Sequence, residues 1–179
     1  GTSSSRESAT LLTEWMQNAS PDENQQVMDT LFSMSPSEWK ECAGEVASAL
    51  VGVVRRQRDG QLDVRRDTLN SLKNTYLDLD SHPALRAILL RVCIANQTNE
   101  AAELFSELVS ATKSMESRLQ LEVFGDLLRA EKSCVKGVFP KLLDAIDVPI
   151  WCALVMDYAN YAFRNQIFEH VLSSHSNNT

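Results

Sequence analysis

The five prolines constrain this chain more than any other feature, because four of them stand where helices begin. Ser20-Pro21-Asp22-Glu23 and Ser35-Pro36-Ser37-Glu38 follow one design. The serine hydroxyl caps an orphan backbone N–H, proline takes the first helical position, and a carboxylate stands at the third. Pro83 and Pro149 mark two further starts, after Ser81-His82 and Asp147-Val148. Gly60 follows Arg58-Asp59, where a helix should stop. The β-branched runs are short and no Asn-Gly or Asp-Gly hairpin signal occurs, so little room is left for strands.

Apolar spacing agrees with this placement. Leu104, Phe105, Leu108 and Val109 recur at three and four residues, as do Leu121, Phe124, Leu127 and Leu128. Val64, Leu69, Leu72, Tyr76 and Leu79 do so more loosely. The pattern predicts ten helices, over about 6–18, 21–33, 36–58, 62–79, 83–96, 99–113, 116–131, 135–146, 149–163 and 165–173. Pro140 falls inside the eighth, which therefore starts near Val138 or is kinked there.

Composition removes the alternatives. The 179 residues are 44% apolar and include only 6 Gly and 5 Pro, which excludes collagen-like and Gly/Pro-rich disordered chains. Four cysteines, Cys42, Cys93, Cys134 and Cys152, are too few for a disulfide scaffold, and no pair has metal-knuckle or redox-motif spacing. Each sits among apolar neighbours and reads as a small core residue kept reduced, which implies a cytoplasmic setting. Asn96-Gln97-Thr98 and Asn177-Asn178-Thr179 match the glycosylation pattern, but unpaired thiols argue against secretion. No apolar run reaches the roughly 20 residues that a bilayer demands, so no membrane partner is expected.

The expected organisation is one α-helical repeat domain over 6–172. Residues 1–5 read as a vector-derived scar with a loose lead-in, and 173–179 as a disordered tail. Both ends have the character expected of a fragment of a larger scaffold protein.

Internal repetition is the most useful signal. The segments Ala84–Lys113, Leu119–Ile146 and Ile150–Ser173 each carry an aliphatic-Phe pair followed three and four residues later by aliphatics. These are Leu104-Phe105 with Leu108 and Val109, Val138-Phe139 with Leu142 and Leu143, and Ile167-Phe168 with Val171 and Leu172. The phenylalanines are 34 and 29 residues apart, a period that suits stacked helical hairpins.

Asp80-Ser81-His82-Pro83-Ala84-Leu85-Arg86 resembles the Asp…Pro-x-aliphatic-Arg turn of HEAT repeats. Leu62-Asp63-Val64-Arg65-Arg66 with Leu69 and Leu72 is similar to the Val-Arg helix start of the same repeats. The resemblance implies that Asp63, Arg65, Asp80 and Arg86 pair between layers. Asp63 lacks the usual gap before Val64, and later units lack the Val-Arg step. Asn99-Glu100-Ala101-Ala102-Glu103-Leu104-Phe105 instead resembles the second helix of tetratricopeptide or pentatricopeptide repeats. The expected fold is all-α, with five antiparallel helical hairpins stacked as a short right-handed α-solenoid; a compact helical bundle is the alternative.

No residue set carries catalytic, cofactor-binding or metal-binding chemistry, so no enzyme is expected. His82, His170 and His175 lack a second histidine at ligand spacing. The glycines form no phosphate loop. Glu100, Glu103 and Glu107 share one helix face and read as solvated.

The strongest local anomaly is basic. Arg55, Arg56, Arg58, Arg65 and Arg66 give residues 55–66 a charge of +3, in a chain of net charge -7. The first three close a helix, where positive charge suits the dipole; the last two open the next, where it does not. These five arginines are the candidate partner-binding residues, because guanidinium grips carboxylate or phosphate bidentately. The expected function is a non-catalytic protein–protein interaction or scaffold module that binds a peptide or protein on the concave helical face. Nucleic-acid binding through the arginine-rich turn is the alternative, and the overall acidity opposes it.

Two structural expectations complete the reading. Ala43, Gly44, Ala47, Ser48 and Gly52 form a small-residue stripe that invites close approach of another helix. Trp15, Trp39 and Trp151 lie in helical patterns and are expected to be core or half-buried; one exposed in a groove would instead be a binding anchor.

Overall fold

The computed structural model describes residues 7, 10–12, 14, 18, 20–130, 132–157 and 163–177. All regular structure among them is helical. The lead-in 1–5, Trp15, most of the 6–18 helix and the 158–162 part of the 149–163 helix lie outside the described residues. The chain forms two compact units, up to Asn96 and from Gln97.

In the first unit both serine–proline starts form as read. Helix α1 spans Pro21–Ser33 and α2 spans Pro36–Glu41, each with a complete capping box. Glu38 N–H donates to Ser35 Oγ at 3.2 Å, and Ser35 N–H donates to Glu38 Oε2 at 2.7 Å. The expected 36–58 helix is broken at Cys42, whose φ of -124° and ψ of 42° separate α2 from α3, Ala43–Arg58. The break follows from Trp39. Its fully buried indole lies 5.4 Å from Phe32 and donates to the Leu31 carbonyl at 3.0 Å, fixing α2 on the end of α1.

Gly60 ends α3 with φ +70° in a Schellman arrangement. Gln61 N–H donates to the Arg56 carbonyl at 2.8 Å, and Gly60 N–H to that of Gln57 at 3.2 Å. Helix α4, Arg66–Asp78, begins later than the apolar spacing predicts. Leu62 and Val64 are buried from a non-helical segment instead, and Val64 N–H donates to Asn96 Oδ1 at 3.1 Å. Helix α5, Pro83–Ala95, buries residues around most of its circumference, as a central helix should. It packs most extensively against α3, where Gln57 Nε2 donates to the Val92 carbonyl at 3.1 Å. Helix α1 packs on α4, and α4 also touches α5.

Two expectations change here. Arg86, which the HEAT resemblance places in a ladder with aspartate, caps α4 by donating to the Tyr76 and Leu77 carbonyls at 2.9 and 3.2 Å. Its guanidinium also lies 4.7 Å from the Tyr76 ring centroid. The small-residue stripe is not where α3 meets its neighbour. Gly44 and Ser48 are exposed, and a Cβ built on Gly44 meets nothing within 4 Å. The packed face is Val46, Ala49, Leu50, Val53, Val54 and Gln57.

The second unit contains α6 (Asn99–Ser110), α7 (Ser117–Arg129), α8 (Lys132–Val135) and α9 (Phe139–Leu142), the last continued by a 3-10 turn at Leu143–Ala145. Helices α10 (Val148–Asp157) and α11 (Arg164–Ser176) complete it. The expected 135–146 helix is thus divided into short pieces, with Pro140 in the first turn of α9. Helix α6 packs on α8, α7 on α10, and α10 on α11. A run of rings forms the core. Phe105 meets Phe124 at 5.9 Å, Phe124 meets Trp151 at 5.5 Å, Trp151 meets Phe139 at 5.9 Å, and Phe139 stacks on Phe163 at 4.0 Å. Helix α11 runs through residues 173–176, which read as tail, and there Ser173, Ser174 and Ser176 each donate a hydroxyl to the carbonyl four residues back.

Candidate functional site

The arginine turn is held from both sides. Asp59, Gly60 and Gln61 close α3 by backbone hydrogen bonds, and buried Leu62 and Val64 fasten the segment that follows. Arg55, Arg58, Arg65 and Arg66 are exposed and Arg56 is half-buried. Arg55, Arg56 and Arg58 occupy the last turn of α3, opposite in sign to its dipole end. Arg65 is the N-cap of α4 without a capping side chain, and Arg66 is its first residue. Arg65 reaches Asp29 of α1 at 3.8 Å, with 64% and 55% of the two side chains exposed. A pair so open contributes about 0–1 kcal/mol, so it does not account for the arginine at this position. The turn presents guanidinium groups on a fixed backbone, an arrangement that suits carboxylate or phosphate oxygens.

The other sequence candidates do not converge. His170 faces Asp144 across 3.9 Å, and His82 Nδ1 lies 3.0 Å from the Ser81 hydroxyl. Glu103 pairs with Lys141 at 3.9 Å on an exposed surface. Among the described residues, no three metal-ligating side chains come together, and no helix is long and apolar enough to cross a membrane.

The cysteines divide in a way their neighbours did not reveal. Cys42 and Cys93 are buried, as expected, but Cys134 is half-buried and Cys152 is exposed. Cys134 Sγ donates to the Gln97 carbonyl at 2.7 Å. Burial pushes the Cys93 thiol from its ordinary 9.0 up to about 12. Its neutral form is favoured by folding, so this stabilisation is complete below pH 9.0 and lost as pH rises towards about 12. Alkylation with iodoacetamide at neutral pH, followed by peptide mapping, is expected to modify Cys152 first and Cys93 only in denaturant. Early modification of Cys93 would contradict its burial.

A second feature escaped the sequence reading. A groove of about 400 Å³ lies between α10 and α11, with Val155, Met156, Ile167, Phe168 and Val171 in its lining. Arg164 is its charged lining residue, and its guanidinium lies 5.2 Å from the Phe168 ring centroid. Met156, Phe168 and Leu172 are exposed by 83%, 41% and 67%. The aliphatic-Phe pair at Ile167-Phe168 was the available signal. It matched Leu104-Phe105 and Val138-Phe139, whose phenylalanines are buried, and so gave no sign of an open face. Compared with known proteins, the chain matches no family model, no curated protein and no solved structure.

Proposed function

We propose that the chain is a non-catalytic protein-interaction module whose partner contact includes Arg55, Arg58, Arg65 and Arg66. The observation that carries this reading is the exposure of these four arginines on a turn whose backbone is fastened at both ends. The local charge of +3 stands out against a net charge of -7, so an acidic segment of a partner meets its complement there and repulsion elsewhere. In the first unit α3 and α4 both pack on α5, and in the second α6 packs on α8 and α10 on α11, pairings that suit stacked helical hairpins of the α-solenoid kind. Unpaired thiols, one exposed, suit a reducing, cytoplasmic setting.

The test is fluorescence anisotropy with a labelled glutamate-rich peptide, and with single-stranded RNA and duplex DNA at low salt. The peptide is expected to bind, and the Arg65→Ala/Arg66→Ala double variant to weaken it about tenfold. The melting temperature should change little, because the Arg65–Asp29 pair is exposed. A large loss of stability with unchanged binding would assign both arginines to the fold. Tighter binding to RNA or DNA than to the peptide would assign the turn to nucleic acid.

A further inference from the structure

We infer that Asp29 of α1 is a built-in competitor for the arginine turn: its carboxylate stands at Arg65 in place of a partner's and gives way when an acidic segment binds. The inference rests on the partner contact proposed above and names what restrains it.

The competing carboxylate is held in place. Helix α1 packs on α4, and its Val27, Met28 and Leu31 are fully buried, so the backbone at Asp29 is fixed relative to the start of α4. Gln25, one turn earlier in α1, donates from Nε2 to Asp29 Oδ1 at 2.8 Å. Such an amide–carboxylate pair four residues apart is a stabilising contact on a helix surface. With Oδ1 so engaged, Oδ2 faces Arg65 Nη2 across 3.8 Å.

The distance decides what this contact does. A charge-assisted hydrogen bond from guanidinium to carboxylate is about 2.7–2.9 Å long. At 3.8 Å, with 64% and 55% of the two side chains exposed, Asp29 attracts Arg65 without engaging its paired donors. A partner's carboxylate that forms the bidentate bond therefore displaces Asp29, and the attraction lost is subtracted from its affinity. That subtraction is the same for every anion. It leaves least to a lone carboxylate and most to a run of carboxylates that also meets other arginines of the turn. Asp29 thus reserves the turn for a dense acidic segment against the scattered acids of ordinary protein surfaces.

The test is fluorescence anisotropy with the labelled glutamate-rich peptide on the full chain, comparing wild type with Asp29→Asn, Arg65→Ala and the double variant. Asparagine keeps the oxygen that accepts from Gln25 and removes the charge. Asp29→Asn is expected to tighten binding about two- to fivefold at low salt, the range for an exposed ion pair, and the gain should shrink as salt screens it. The melting temperature should change little, because the pair is exposed. In the Arg65→Ala background the gain should vanish, because the competition is for Arg65. An unchanged affinity in Asp29→Asn, with Arg65→Ala still weakening the peptide, would overturn the inference and leave the arginine turn standing. An equal gain with and without Arg65 would overturn it too, by assigning the effect to general charge. A peptide bound by neither wild type nor Asp29→Asn would overturn the arginine-turn reading and the inference together.

Discussion

Trp151→Ala is expected to destabilise the second unit by about 3–5 kcal/mol, the range for truncating a large aromatic in a packed core. The indole is fully buried, lies edge-on to Phe124 and Phe139, and donates to the Leu143 carbonyl at 2.8 Å. Alanine removes the ring from the middle of the aromatic run and leaves that carbonyl without its donor. Trp151→Phe keeps one ring in the run while losing the donor and part of the packed volume, so it should restore a substantial part of the loss. Urea unfolding of both variants, followed by circular dichroism, measures the difference. A loss under about 1 kcal/mol for Trp151→Ala would mean that the run of rings is not a core.

Asn24→Leu is expected to act in the opposite direction. Asn24 is completely buried in α1, and neither its side-chain nitrogen nor its oxygen has a hydrogen-bond partner among the described residues. A buried polar group left unsatisfied costs about 1–3 kcal/mol. Leucine has the same branching pattern as asparagine and no polar atom to satisfy, and its helix propensity is higher. The variant should therefore gain about 1–3 kcal/mol by urea unfolding. A loss of stability would show that the amide has a partner that leucine cannot replace, or that the site cannot admit the larger side chain.

The parts of this fold that were legible in the sequence are those set by local chemistry. A serine, a proline and a glutamate within four residues define a helix start by their own hydrogen bonds, and α1 and α2 begin as predicted. Gly60 was readable for the same reason, since the left-handed turn that ends α3 needs no information from elsewhere. The break at Cys42 was not readable. Cysteine is no helix breaker, and what divides the segment is the distant anchoring of Trp39 on Leu31. Leu62 and Val64 show the same limit, because buried side chains of a non-helical segment satisfy a loose helical spacing equally well.

The candidate sites divide along the same line. Five arginines in twelve residues are visible as charge, and the exposure of Arg55, Arg58, Arg65 and Arg66 follows from their places at helix ends. The groove was hidden because apolar periodicity reports that a face seeks cover, not what covers it. Ile167-Phe168 is indistinguishable in sequence from Val138-Phe139, yet Phe139 is enclosed and Phe168 is open. Cys152 was read as core for the same reason, its neighbours Trp151 and Ala153 being apolar while its own side of α10 is exposed.

The central claim is that the arginine turn is a partner-binding surface. Its most direct test is a nitrogen–proton correlation spectrum of the labelled chain, titrated with a glutamate-rich peptide. The account predicts shifts concentrated at residues 55–66, including the side-chain resonances of Arg55, Arg58, Arg65 and Arg66. A spectrum left unmoved there at saturating peptide, or moved only elsewhere, would contradict it.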